Sequence, residues 1–320
     1  MNLVKKTIFW ILVLTALGGA FHFLEQEMQK KREDEAASLK LLSFSVGDVQ
    51  GFWVADKRAG LRIDVLRKPD GWYVIHPLAA KGDDEAIDKM LLNIVAGRKD
   101  AVLFAQPGPE KLRELGLDAP GIEVGFTVAG AETVVSFGDS GPTHNVAYAM
   151  LRGEPTVYRV HASVREEANK DVYALRDKRL LDIDPVKMGR LEIERTGEEK
   201  IVVTHDKGKW LTLEPTVGLA EMEKVLELLF AIKNARIKGF ADETPSGLAA
   251  YGLLSPNLEI SIYEGDAQIP RVLSIGDKDR IRRGYFAITN QAENVFIVGE
   301  DLVNALKTNM AKWAAAIRPD

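Results

Sequence analysis

Three polar side chains with chemical potential stand close together in the chain: Ser140, His144 and Asn145. A serine acts as a nucleophile when a histidine takes its proton, a carboxylate orients that histidine and backbone amides stabilise the oxyanion. The chain has other histidines, but none of them stands in a recognisable histidine motif. We therefore treat the three residues as a candidate ligand or partner contact and predict no catalytic residue.

The segment 138–142 reads Gly-Asp-Ser-Gly-Pro, which is the pattern around the nucleophile of trypsin-like proteases. A second copy of the surrounding sequence has Gly276, Asp277 and Lys278 at the corresponding place. The glycine and the aspartate are kept, whereas the serine is lost. We interpret this segment as a turn that ends a strand.

No other residues predict a metal, cofactor or nucleic-acid site. The chain has no cysteine, which excludes disulfides, thiol catalysis and zinc-thiolate sites. Asp182 and Asp184 lack the spacing of a calcium loop, and we assign them to the link between the two copies. Phosphate-loop and dinucleotide motifs are missing, and the net charge of -5 gives no general attraction for nucleic acid. The sequence thus predicts a protein that is not an enzyme.

One sequence pattern occurs twice, over residues 61–181 and again over residues 190–319. The shift is 138 residues for most of this length, so that Trp72 recurs as Trp210. Positions that both copies share are explained most simply by the needs of the fold, and a special site is expected in one copy only. By this rule, the serine, histidine and asparagine named above form the leading single-copy polar cluster.

Each copy predicts the same order of elements: a hairpin, a helix, a short extended segment with a short helix, a four-stranded meander and a final helix. The first helix of the second copy is predicted over about 220–232, and the final helices over 164–175 and about 301–315. Strands that are separate from helices predict an α+β fold with antiparallel sheets and helices packed on one face. Trp72 and Trp210 are predicted to lie in the two cores.

The stretch from Thr7 to Leu24 contains one titratable side chain, His22. As a helix it would be roughly 27 Å long, close to the thickness of the hydrocarbon layer. Two lysines precede it, which favours an amino terminus inside the cytoplasm. We predict an uncleaved single-pass anchor, and the alternative is a signal peptide cleaved among the small residues 18–20.

These patterns divide the chain into four parts. Residues 1–24 form the anchor, and residues 25–45 form a charged helical stalk. Residues 46–184 form the first α+β repeat, and residues 185–320 form the second.

Five features together resemble the domain of unknown function family DUF4340. They are the membrane helix, a Gly-Trp strand ending at Pro77, the Leu-Gly-Leu-x-x-Pro segment 115–120, the Phe-Gly-Asp segment 137–139 and the Leu-Arg-Asp-Lys segment 175–178. The second copy departs from this pattern at residues 313–317. The resemblance implies a bacterial envelope protein with no established reaction, and some relatives are similar to accessory subunits of ABC transporters of the gliding-motility type.

The leading hypothesis is a membrane-anchored scaffold or accessory subunit of an envelope complex. Its repeats would lie outside the bacterial cytoplasmic (inner) membrane, which it would cross once through residues 7–24, and its partners would be other envelope proteins. The alternative is a ligand-binding module that holds a glycan or a lipid in a cleft between the two repeats.

Overall fold

The computed structural model describes residues 21–31, 38–141, 143 and 145–307. The chain divides into two compact units, Met1–Asp177 and Lys178–Asp320. Each unit has its own sheet and its own hydrophobic core.

In its described residues, the first unit forms one antiparallel sheet of nine strands. The strands are β1 (Val49–Asp56), β2 (Leu61–Lys68), β3 (Gly71–His76), β4 (Ala80–Lys81), β5 (Ala101–Phe104), β6 (Ile122–Val128), β7 (Ala131–Ser140), β8 (Val146–Leu151) and β9 (Val157–His161). Their order across the sheet is β4-β3-β2-β1-β6-β7-β8-β9-β5.

The described part of the second unit repeats this sheet. Its strands are β10 (Met188–Arg195), β11 (Ile201–Asp206), β12 (Lys209–Glu214), β13 (Gly218–Leu219), β14 (Gly239–Asp242), β15 (Leu258–Glu264), β16 (Arg271–Asp279), β17 (Gly284–Thr289) and β18 (Val295–Gly299). The order β13-β12-β11-β10-β15-β16-β17-β18-β14 matches that of the first sheet strand for strand. The predicted α+β fold with two similar antiparallel-sheet units is confirmed.

One long helix packs on a single face of each sheet: the first long helix Asp84–Val95 and the second long helix Met222–Asn234. Both carry their buried residues at helical spacing, which is why each presents one apolar stripe to its sheet. Asp83 caps the first long helix by accepting a hydrogen bond from the Ala86 amide at 3.1 Å. In the second unit, the predicted helix began two residues too early, at 220.

The two repeated tryptophans are core residues, as predicted. Trp72 is 1 % exposed and Trp210 is 3 % exposed. The Trp72 indole N–H donates to Asp88 of the first long helix at 2.8 Å, and its ring meets Phe52 edge to face at 5.7 Å. Both rings therefore pack inside the cores of their units, where neither ring presents an open face to a ligand.

The predicted turn at Gly138 is wrong. Strand β7 continues through Gly138 to Ser140, with a register shift between Phe137 and Ser140. Strand β16 has the same irregularity between Ile275 and Lys278. The glycine therefore marks a β-bulge inside a long strand, which bends the strand without ending it.

The final helix of the first copy is also broken where the prediction had it continuous. It consists of Ala162–Ala168 and Val172–Leu175, and Asp171 caps the second piece through the Ala174 amide at 2.7 Å. In the second unit, residues 300–307 are helical, and the rest of the predicted helix lies outside the described residues.

The two cores extend beyond the domain limits drawn from the sequence. Leu41 and Leu42 are buried in the first core, although the stalk was predicted to reach residue 45. Leu180, Leu181 and Ile183 are buried in the second core, although residue 184 was predicted to close the first repeat. Short apolar runs inside charged or linking segments account for both differences.

Residues 21–31 form an exposed helix. Among the helices of the described residues, none is long and apolar enough to cross a bilayer. Most of the predicted span, residues 7–20, lies outside the described residues, and so do residues 32–37 of the predicted stalk.

Candidate functional site

The structure places Ser140 and Asn145 at the two ends of the connection between β7 and β8. Both residues are exposed, and the Asn145 carbonyl accepts a hydrogen bond from the Ala162 amide at 2.9 Å. His144 lies outside the described residues. The role of Ser140, His144 and Asn145 as a ligand or partner contact therefore stays a prediction.

The glycines of the two bulges are explained by packing. A Cβ atom on Gly138 would lie 2.1 Å from the carbonyl oxygen of Leu115, and one on Gly276 would lie 2.2 Å from that of Tyr251. Backbone cannot approach so closely to a larger residue, so glycine is required in both units. This shared structural role accounts for the Gly-Asp pair without any protease chemistry.

The neighbouring aspartates belong to the same packing arrangement. Gly116 and Gly252 both have φ of 67°, and a Cβ on either would lie within 2.6 Å of the carboxyl carbon of Asp139 or Asp277. Asp139 also forms an ion pair with Arg58 at 2.6 Å. The Leu-Gly-Leu turn 115–117 of the first unit thus packs against one Gly-Asp bulge, and the Tyr-Gly-Leu turn 251–253 of the second unit packs against the other.

A different group of residues meets the single-copy rule on the open face of the first sheet, the face without helices. Phe52 and Val54 of β1 point into the core, so Trp53 between them points to the open face. A Cβ on Gly125 would lie 2.3 Å from the Trp53 indole, which shows that the ring lies directly against the backbone of β6. Trp53 is 7 % exposed.

Charged side chains surround this indole. Its N–H donates to Glu132 at 2.7 Å, and the Arg62 guanidinium lies 4.4 Å from the ring centroid. The Arg152 guanidinium lies 5.8 Å from the same ring and 3.3 Å from Glu132. We call Trp53, Arg62, Glu132 and Arg152 the Trp53 surface.

Hydrogen bonding fixes the cations of the Trp53 surface in place. Arg62 donates to Asp64 through both Nε and Nη2, the latter at 2.7 Å. This bond is the main reason why the pKa of the Arg62 guanidinium is raised, although partial burial opposes the increase. Arg62 therefore stays charged over the physiological pH range.

The Trp53 surface borders a shallow concavity of about 680 Å³. Glu123 lies at its floor, where it accepts a hydrogen bond from Ser136 at 2.9 Å and pairs with Lys57 at 2.8 Å. The serine-glutamate contact is shared, because Ser274 donates to Glu259 at 2.9 Å in the second unit. Because both units have this contact, it serves the fold. The side chains of the Trp53 surface above it differ between the two units.

The second unit has different side chains at the same positions. Both first strands shift register at the same place, next to Gly51 in β1 and next to Arg190 in β10. Counting two residues onward places Glu192 at the position of Trp53. Glu192 forms ion pairs with Arg190 at 2.7 Å and Lys200 at 2.8 Å. The Trp53 surface thus occurs in one copy only.

The residue types of the Trp53 surface suit contact with a protein. Tryptophan and arginine are enriched among the residues that contribute most to protein–protein binding. A sugar would need an open ring face, but one face of Trp53 lies on Gly125 and Arg62 stacks on the ring. The described residues contain no group of three or more side chains placed to hold a metal ion.

The strand order defines an α+β protein made of two antiparallel-sheet units. The model of the domain of unknown function DUF4340 matches residues 72–246 and, in a second and overlapping segment, residues 210–316. The chain belongs to this family. The two segments begin at Trp72 and Trp210, which hold the same place in the two units. No curated protein and no solved structure matches the chain.

The Trp53 surface is not apparent from the repeated sequence pattern, because the first copy of that pattern starts at residue 61 and leaves out β1. Trp53, Arg62, Glu132 and Arg152 also come from strands that are distant in the sequence, so only the sheet order brings them together. The signal in the sequence is the difference between Trp53 of β1 and Glu192 of β10.

Proposed function

We propose that this protein is a membrane-anchored, non-enzymatic scaffold or accessory subunit of an envelope complex, with its two units outside the cytoplasm. The observation that carries the proposal is the Trp53 surface, a single-copy cluster of tryptophan and arginine on an open sheet face. The apolar stretch from Thr7 to Leu24 supports the anchor. An ABC transporter of the gliding-motility type is the partner that we propose.

Purification of the full-length chain from gently solubilised membranes tests the scaffold. We expect co-purification of a defined partner protein, and we expect the double variant Arg62→Ala, Arg152→Ala to lose it. Both side chains are about half exposed, so the variant should fold, which circular dichroism can verify. Lys200→Ala in the second unit is the matched control, because Lys200 holds the position that corresponds to Arg62. Lys200 pairs with Glu194, and Arg62 lies opposite Ala55 at the same place in the first sheet.

Recovery of the wild-type chain as a lone monomer would count against the scaffold. Equal loss of the partner in the double variant and in Lys200→Ala would show that the Trp53 surface is not the surface that binds the partner.

The anchor is tested separately, by cell fractionation and by protease digestion of spheroplasts whose inner membrane is intact. We expect the chain in the membrane fraction and its two units to be digested from outside. Protection of both units in intact spheroplasts would contradict the proposed orientation.

A further inference from the structure

The second sheet has an aliphatic edge. In β12, Trp210 points into the core, so Leu211 and Leu213 point to the open face. Leu219 of β13 pairs with Leu211 and is 71 % exposed, and Val217 is 78 % exposed. We call Leu211, Leu213, Val217 and Leu219 the Leu219 edge. Such a group of aliphatic side chains in water is typical of a contact surface.

The first unit closes the same edge with polar groups. The 138-residue shift places Lys81 at the position of Leu219 and Tyr73 at that of Leu211. The Lys81 ammonium donates to the carbonyl of Asp70 and lies 4.6 Å from the Tyr73 ring centroid. A lysine on an edge strand is a common protection against pairing with other chains. The second unit lacks this protection.

The first unit also shows how this edge binds a further segment of backbone. Gly82, next to β4, forms a bridge with Arg176. The Asp177 amide donates to the Lys81 carbonyl at 3.0 Å, and the Asp83 amide donates to the Leu175 carbonyl at 2.9 Å. The Leu-Arg-Asp segment therefore continues the sheet beyond β4.

The corresponding groups of the second unit are the Leu219 carbonyl and the Glu221 amide. Within the described part of the chain, β13 has β12 as its one strand neighbour. The Leu-Arg-Asp-Lys sequence that covers β4 is not repeated, because residues 313–317 read Trp-Ala-Ala-Ala-Ile. The edge thus differs between the two units in its side chains, and the sequence that covers it in the first unit has no match at the corresponding positions of the second.

The charges around the Leu219 edge indicate its occupant. Glu214, Glu221 and Glu223 are exposed beside it, and Glu221 pairs with Lys224 at 2.8 Å. An anionic lipid surface would be repelled by these carboxylates. A second copy of this chain would bring the same carboxylates against them in a symmetric contact. A protein segment with basic and aliphatic side chains meets neither difficulty.

We propose that the Leu219 edge binds an extended segment of a partner protein, in which aliphatic and basic residues alternate. Its backbone adds to β13 through the Leu219 carbonyl and the Glu221 amide, as strand addition does at other sheet edges. Its aliphatic side chains cover Val217 and Leu219, and its basic side chains meet the carboxylates. This surface is independent of the Trp53 surface, so either can fail without the other.

The test uses the full-length protein in detergent and a fluorescent eight-residue peptide of alternating valine and lysine, with fluorescence anisotropy as the measurement. We expect an alternating valine-glutamate peptide to bind at least about tenfold more weakly than the valine-lysine peptide. A valine-lysine peptide with a central proline should also bind at least about tenfold more weakly, because proline removes a backbone donor. Leu219→Lys and Leu219→Ser should each weaken binding about tenfold or more, the cost of losing roughly 1.4 kcal/mol. Ile281→Ser is the control and should change nothing, because Ile281 is an aliphatic residue of the same unit that is 93 % exposed in the turn after β16.

Equal binding of all three peptides, or unchanged binding by both Leu219 variants, would overturn the proposal. Hydrogen exchange at the Glu221 amide shows whether the chain's own residues occupy the edge. We expect this amide to exchange fast in the free protein and slowly when the valine-lysine peptide is bound. Slow exchange in the free monomer would assign the edge to the chain's own residues. Loss of self-association, or of binding to anionic vesicles, in Leu219→Ser would assign it to a second copy or to lipid.

Discussion

At the scale of single residues, Gly116 shows how the duplicated sequence separates structure from function. Its counterpart Gly252 has the same left-handed backbone and the same contact with an aspartate on a bulge. Ser140 follows one of these bulges, yet its equivalent Lys278 carries no hydroxyl. The repeat therefore predicted correctly that the glycine and the aspartate serve the fold, although it did not reveal the bulge itself.

Gly116→Ala is expected to destabilise the first unit more than Gly60→Ala. Gly60 has a similar φ of 64°, but no atom lies within 4 Å of the point that an added Cβ would occupy, so this variant reports the backbone strain alone. The added clash with Asp139 should cost about 1 to 3 kcal/mol more. Urea unfolding followed by tryptophan fluorescence measures the difference, and equal losses for the two variants would contradict the packing role.

At the scale of elements, helical periodicity made the two long helices predictable. The buried residues Ile87, Met90, Leu91 and Ile94 recur at one spacing, and Asp83 stands at the cap. The open face of the sheet was not predictable in this way, because Trp53, Arg62 and Arg152 come together only through pairing between distant strands. Local pattern reveals local structure, whereas a surface cluster depends on sheet order.

The caps of the two long helices differ, which gives an element-scale prediction. Asp83 accepts a hydrogen bond from the Ala86 amide, whereas Glu221 makes no side-chain cap bond. Asp83→Ala should lower the free energy of unfolding by about 1 kcal/mol. Glu221→Ala should change it much less, and urea unfolding compares the two variants. A larger loss for Glu221→Ala would contradict the cap assignment.

The ion-pair cluster on the open face of the second sheet predicts a pH dependence. Burial raises the pKa of the Glu192 carboxyl, but the bond from Lys200 and the charge of Arg190 outweigh burial and lower it. A carboxyl group with a lowered pKa stabilises the fold above its unfolded pKa of about 4.3, and this contribution is lost as the pH falls through the folded value.

Glu192→Gln should therefore be less stable than the wild type at neutral pH, and the difference should shrink as the pH falls below about 4. Urea unfolding at a series of pH values measures it. A constant difference at every pH would show that the charge of Glu192 does not contribute.

At the scale of the whole molecule, one strand order occurs twice and carries different surfaces. The first unit has a tryptophan and two arginines where the second has a glutamate-lysine cluster. The second unit has an aliphatic edge where the first has Lys81. Under the proposed scaffold role, duplication of the fold followed by divergence of the two copies would give the chain two distinct contact surfaces.

The central claim is that partners bind where the two units differ. Site-specific photocrosslinking in intact cells tests it most directly, with the photoreactive residue placed at Arg62 and, as the matched position, at Lys200. The account predicts a crosslink to one discrete envelope protein from position 62 and none to that protein from position 200. The absence of any crosslink from position 62, or equal crosslinks from both positions, would contradict it.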